Sequence, residues 1–127
     1  MKKTFLSLLA LLIICLFHNA KASASTEDYS VYFEKAYQQY PSIPRGVLEA
    51  VAHTNTHIYH ITHNAGDAEN CMGMSGAYGV MGLVLDGKSY FNNNLALVSN
   101  LSGVPVNEII NDPEKNILAY ASALDAV

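Results

Sequence analysis

Residues 44–58 read PRGVLEAVAHTNTHI, a stretch that begins like a buried helix and then becomes polar and rich in histidine. Pro44 suits the first turn of this helix, because the N–H that proline lacks would have no partner there. An apolar stripe at helical spacing follows and fades at residues 54–56. The stripe consists of Val47, Leu48, Val51 and Ala52. A helix that ends in this way could carry a catalytic acid, could bind a metal ion, or could belong to a former active site whose catalytic residue has been replaced.

The remainder of the chain predicts further helices. Residues 28–40 predict a helix that begins near Asp28, which could cap it, and that is ended by Pro41. Their apolar groups recur at helical spacing at Val31, Tyr32, Ala36 and Tyr40. A helix is also expected over residues 92–101, ended by Gly103, and a short one after Pro105.

The last helix is expected to start at Asp112, as its N-cap, followed by Pro113. Residues 64–87 are rich in Gly, Asn and Asp, which indicates a loop interrupted by a short apolar piece. No run alternates with the period of a strand. The expected fold class is therefore all-α, with a Gly-rich loop and no substantial sheet.

The N-terminus has the order of a secretory signal peptide. Lys2 and Lys3 precede an apolar run over residues 5–17, and small residues at positions 20–24 give a cleavage site. The run is too short to span a membrane. We therefore expect a signal peptide over 1–24 and a single domain over 25–127. This domain would be exported to the periplasm or the exterior, with no membrane partner after cleavage.

Charge and cysteine usage limit the possible partners. Residues 25–127 contain four basic and eleven acidic residues, a net charge near −7, which argues against nucleic acid as a partner. Cys71 is the one cysteine outside the signal segment, so an internal disulfide is excluded. We expect it to be a small buried residue; the alternative is a pair with a segment beyond Val127. The last helix reaches Val127 without a stop signal, which predicts a domain truncated at this end.

Three segments, in chain order, resemble one family. Residues 44–58 resemble the helix that carries the catalytic glutamate in soluble lytic transglycosylases and related lysozyme-like domains. GAYGVMGL, residues 76–83, resembles their Gly-Ala-x-Gly-Leu-Met-Gln turn, and NDPEKNI, residues 111–117, resembles their Asp-Pro-x-x-Asn-Ile motif. Leu124 also matches an apolar position that the family has further along the last helix. The resemblance implies a lysozyme-like helical fold.

The same segments carry physical expectations of their own. Gly76 and Gly79 permit positive φ and a close approach of another chain segment. Met81 and Leu83 would anchor the turn in the core. Asn116, on the first turn of the last helix, could hydrogen-bond a neighbouring loop.

The departures from the family concern its chemistry. Alignment of the helix places Asn55 at the position of the family's acid and Thr56 at the serine after it, and Gly82 stands where the turn has glutamine. Cleavage of a glycosidic bond needs a proton donor with a raised pKa, which an amide cannot supply. The resemblance therefore implies no catalytic residue in this segment.

Two alternatives place chemistry on other residues. Glu49 could act as a displaced acid, as in an active lytic transglycosylase or muramidase; Asp67 and Glu69, in the predicted loop, could also reach a cleft. Alternatively, His53, His57 and His60 would share one face of a continued helix and could bind zinc. Their spacing does not form a His-Glu-x-x-His motif, so the base of a metalloprotease is missing.

The resemblance extends to the N-terminal part of secreted bacterial N-acetylmuramoyl-L-alanine amidases. It implies that peptidoglycan is the partner, that this segment holds no cofactor, and that zinc belongs to a separate C-terminal catalytic domain beyond Val127. Tyrosine supplies a flat apolar face for sugar rings; Phe91 and Tyr120 are expected in the core instead. The expected glycan-binding residues are Asn55, His57, Tyr59, Tyr78 and Gly79. A third alternative, a spacer domain, predicts no affinity for peptidoglycan.

Overall fold

The structure is a computed structural model that describes residues 28–62, 75–86 and 93–127. These ranges contain the helices α1 (Ser30–Gln39), α2 (Val47–Thr56), α3 (Asn94–Ser102), α4 (Val106–Asn111) and α5 (Pro113–Asp125), and the strands β1 (Ala77–Tyr78) and β2 (Leu83–Val84). The signal segment lies outside the described residues, as do Asp67, Glu69, Cys71 and Phe91.

The described chain is mainly helical, as predicted, but it also contains a small sheet. Strands β1 and β2 are antiparallel, with Ala77 opposite Val84 and Tyr78 opposite Leu83. This sheet of four residues is consistent with the expectation of no substantial sheet, although the sequence did not indicate either strand. Strands of two residues are too short to show the alternation by which a sequence indicates a strand.

Helix α1 lies within the predicted range but begins two residues later and ends one residue earlier, and its buried face is shifted from the predicted stripe. The Asp28 carboxylate accepts a hydrogen bond from the Ser30 N–H at 3.0 Å, and the helix ends before Pro41. Its buried side chains are Phe33, Ala36 and Tyr37, whereas Val31 is 68% exposed. Of the predicted stripe, Ala36 is fully buried and Tyr32 and Tyr40 pack against the core, so the prediction was wrong only at Val31. Phe33 and Tyr37 fill the core instead of Val31, because aromatic groups bury more apolar surface.

Helix α2 begins later than Pro44 suggests. Gly46 precedes it with a φ of 89°, and the Val47 N–H donates to the Pro44 carbonyl at 3.2 Å. Pro44 thus lies in the turn before the helix, and its predicted place in the first turn was wrong. The stripe itself is confirmed, since Leu48 and Ala52 are fully buried.

The end of α3 and the start of α5 lie where their capping residues predict. Gly103 closes α3 with a φ of 71°. The Asp112 carboxylate accepts hydrogen bonds from the N–H groups of Glu114 at 2.9 Å and Lys115 at 3.2 Å, which confirms it as the N-cap of α5.

Helix α5 is the central element of the core. It packs against α1, α3 and α4, and its buried residues are Asn116, Ile117, Ala119, Ala121 and Ala123. Three alanines on one helix allow its neighbours to approach closely. Tyr120 packs against this core while remaining half-buried. In the part of the chain that the structure describes, no helix has the length and apolar character needed to cross a membrane.

Candidate functional site

The C-terminal end of α2 is bound to the turn between β1 and β2 by two side chains. Asn55 Nδ2 donates to the Met81 carbonyl at 3.0 Å. Thr56 Oγ1 is buried, 2.6 Å from the Val80 carbonyl and 2.9 Å from the carbonyl of Ala52 in its own helix. The first two segments of the resemblance are therefore in direct contact.

The third segment reaches the same turn from α5. Asn116 is fully buried; its Oδ1 accepts from the Met81 N–H at 2.8 Å and its Nδ2 donates to the Ile109 carbonyl at 3.0 Å. The expected bond from Asn116 to a neighbouring loop is thus confirmed. Met81 and Leu83 are buried, also as expected. The peptide units of residues 80–81 are held from α2 on one side and from α5 on the other.

Glycines make this close approach possible. Gly79 has a φ of 71°, and a Cβ on it would lie 1.9 Å from Asn116 Nδ2. Gly82 has a φ of 65°, and a Cβ there would lie 2.7 Å from Asn55 Cβ. The glutamine of the family's turn could not occupy position 82 with this backbone. Gly76, by contrast, has no positive φ, so the expectation for that glycine was wrong.

The chain reverses sharply after α2. His57 and Ile58 both have left-handed backbones, with φ of 54° and 62°, and the Ile58 N–H donates back to the Ala52 carbonyl at 3.3 Å. This conformation costs roughly 1–2 kcal/mol per non-glycine residue. The reversal leads to Ile61, whose carbonyl accepts from the Gly79 N–H at 2.8 Å.

The structure distributes the five expected glycan-binding residues over two sides of α2. Asn55 is exposed beside the turn, Gly79 is buried in it, and Tyr78 is half-buried. Tyr59 is 63% exposed, just after the reversal. His57, however, lines a separate groove of about 640 Å³ together with Glu49.

Glu49 is part of a hydrogen-bond network at the start of α2. The Tyr37 hydroxyl accepts from the N–H groups of Gly46 at 2.8 Å and Leu48 at 3.1 Å and donates to the Glu49 carboxylate. Burial, and then this bond to Glu49, raise the pKa of Tyr37. Six residues separate Glu49 from Asn55, about 9 Å along the helix. A displaced acid at Glu49 would therefore act at a different place from the family's acid.

The three histidines are not aligned on one helix face, because His60 does not join His53 and His57. Because α2 ends at Thr56, His60 lies beyond the helix that would align it with His53 and His57. The rings of His53 and His57 are 5.5 Å apart and edge-on. Within residues 28–62, 75–86 and 93–127, no three or more His, Cys, Asp or Glu residues are grouped to hold a metal ion.

Comparison with protein families, curated proteins and solved structures finds no match to this chain. Its function must therefore be inferred from its residues and their geometry.

Proposed function

We propose that this domain binds the glycan strands of peptidoglycan without cutting them. The binding face is formed by Asn55 at the end of α2, the exposed Tyr59 and the half-buried Tyr78, and the buried turn at residues 79–82 supports it from beneath Asn55. One observation supports this most directly. The alignment with the resembling family puts an amide, that of Asn55, at the position of the acid, and this amide donates a hydrogen bond to the Met81 carbonyl.

The chemistry of Asn55 argues against cleavage. A glycosidase acid must give a proton to the leaving oxygen, and an amide has no such proton. The three departures from the family, Asn55, Thr56 and Gly82, occur at one place, since a Cβ on Gly82 would lie 2.7 Å from Asn55 Cβ and 3.1 Å from Thr56 Cγ2. They are consistent with a site that kept its shape and lost its acid.

The same face has groups suited to a sugar. Asn55 Oδ1 accepts no hydrogen bond from the described residues, so it can accept one from a sugar hydroxyl or acetamido N–H. Tyr59, 63% exposed, offers a flat apolar face close by in sequence. Directed amide groups beside an aromatic surface are the usual elements of a polar-ligand site.

The wider context follows from the sequence. The N-terminal order of charge, apolar run and small residues supports export to the cell wall. The resemblance to the N-terminal part of cell-wall amidases supports a role in delivering a downstream, zinc-dependent catalytic domain to its substrate. In that arrangement the glycan is held here and the amide bond is cut elsewhere.

The proposal can be tested by titrating isotopically labelled protein with peptide-free glycan strands. We expect NMR shift changes at residues 55–59 and 78–82, and roughly tenfold weaker binding for Asn55→Ala, as expected for loss of a hydrogen-bonding side chain. Asn100→Ala, which removes an exposed amide from α3, should bind normally. Absence of shifts, or shifts confined to the cavity beside Tyr40 and Lys115, would contradict the proposal.

A further inference from the structure

The groove beside His57 lies between the start of α1 and one side of α2, and its floor is apolar. Tyr29 and Phe33 line it and are buried at 4% and 3% exposure, and the half-buried Ile58 lines it as well. Its volume of about 640 Å³ is within the range of small-molecule sites. Such a floor suits an aliphatic chain several carbons long.

The rim of the groove is acidic. It carries the carboxylates of Asp28, Glu34 and Glu49. Arg45 neutralises one of them, because its guanidinium binds both oxygens of Glu34, at 2.6 and 2.9 Å. Among the described residues, Asp28 and Glu49 form no ion pair, although Arg45 is close enough to attract Glu49 electrostatically, so the groove keeps a net negative charge.

Those two carboxylates differ in how they are held. Hydrogen bonds from Ser30 lower the pKa of Asp28, so that it is ionised at neutral pH. Glu49 accepts the Tyr37 hydroxyl through Oε2, while Oε1 accepts no hydrogen bond from the described residues. The groove thus combines apolar lining residues with hydrogen-bond acceptors that carry negative charge.

From this combination we infer that the groove binds a primary ammonium group on an aliphatic chain, supplied by the diamino acid of a peptidoglycan stem peptide. A primary ammonium has three donors for the carboxylates, whereas a quaternary one has none. The inference rests on the proposed function, since peptidoglycan is what brings this group to the protein.

The geometry gives glycan and peptide separate sides of one helix. Glu49 and Asn55 are six residues apart, which places them about 120° apart around the axis of α2. Asn55 faces the turn at residues 79–82, and Glu49 faces the groove with His57. A glycan strand bound at Asn55 therefore leaves the groove free for an attached peptide.

The experiment measures the Kd of the purified protein for the tripeptide L-Ala-γ-D-Glu-L-Lys by calorimetry, beside its Nε-acetyl and Nε-trimethyl forms. We expect both modifications to weaken binding by roughly tenfold or more. Glu49→Gln and Asp28→Asn, which keep the acceptors for Tyr37 and Ser30, should each weaken it about fivefold.

Glu108→Gln is the matched control, because it makes the same charge change in a carboxylate that pairs with Lys115 at 2.5 Å away from the groove. It should leave the Kd unchanged. Equal affinity for the acetylated peptide, tighter binding of the trimethyl form, or no binding of any peptide would overturn the inference. Peptide-free glycan strands, measured in parallel, separate the two proposals: if they bind and the tripeptide does not, only the groove inference fails, and in the reverse case only the glycan-binding proposal fails.

Discussion

At the scale of single residues, Asn116 and Gly79 determine the position of the turn. The Asn116 side chain fills the space that a Cβ on Gly79 would need, and its Oδ1 binds the Met81 N–H. The residue type at 79 is thus dictated by sterics as well as by its φ of 71°.

Gly79→Ala should therefore destabilise the protein by more than backbone strain alone. Gly103 is a matched control, because it has the same φ of 71° and open space where a Cβ would be. We expect about 1–2 kcal/mol lost for Gly103→Ala and at least about 2 kcal/mol more for Gly79→Ala, measured by chemical denaturation. Equal losses would show that Asn116 moves aside without cost.

The sequence predicted this part of the site well for a physical reason. Asn116 follows an Asp-Pro helix start, which sets its position on the first turn of α5, and Gly79 has the residue type for a tight approach. The contact between Asn55 and Gly82 could not be predicted, because it joins segments 27 positions apart through their tertiary arrangement.

At the scale of elements, the start of α2 depends on a side chain from α1. Its N-cap residue, Gly46, has no side chain that could accept a hydrogen bond from the first turn. The Tyr37 hydroxyl accepts these bonds instead, from the N–H groups of Gly46 and Leu48. Sequence reasoning missed this, since capping by a residue of another helix leaves no local signal.

Tyr37→Phe should lower the free energy of unfolding by about 1–2 kcal/mol, the usual cost of a lost cap. Tyr32→Phe, on the same helix, removes a hydroxyl with no hydrogen bond to the described residues and should cost less than about 0.5 kcal/mol. Because the pKa of Tyr37 is raised above 10.0, its contribution is complete below pH 10.0 and is lost as the pH rises through the folded-state value. Denaturation curves that match for the two variants would contradict this role.

The Glu34–Arg45 pair, which links α1 to the turn before α2, should make the stability of the protein depend on pH in the acidic range. Its hydrogen bonds to Arg45 lower the pKa of Glu34 from 4.5 to about 2. Stabilisation by this exposed pair is therefore complete above pH 4.5 and is lost as the pH falls towards 2. The difference in Tm between wild type and Glu34→Gln should shrink over this interval; a constant difference would show that the pair contributes nothing.

Element prediction from sequence succeeded where caps are local and failed where tertiary pairing decides. The ends of α1, α3 and α5 follow from Pro41, Gly103 and Asp112. The left-handed backbone of Ile58 has no such signal, because a β-branched residue disfavours that conformation. After the reversal, Ile61 pairs with Gly79. The helix therefore does not continue to His60, and the three histidines are not aligned.

At the scale of the whole molecule, α5 supports the site from within. It packs against three other helices and sends Asn116 to the turn that contacts Asn55. The groove on the other side of α2 completes a surface with two distinct chemistries: a neutral amide and tyrosine on one side, and an acidic channel on the other. Both would suit a polymer that combines sugars with peptides.

The central claim is that this domain binds peptidoglycan and leaves it intact. The most direct measurement incubates the purified protein with isolated peptidoglycan, sediments the polymer, and examines the soluble fraction by mass spectrometry over time. We predict that the protein sediments with the polymer and that no anhydro-muramyl or reducing-end fragments are released. Protein that stays in solution, or fragments that accumulate with time, would contradict the claim; in the latter case Glu49 becomes the first carboxylate to replace.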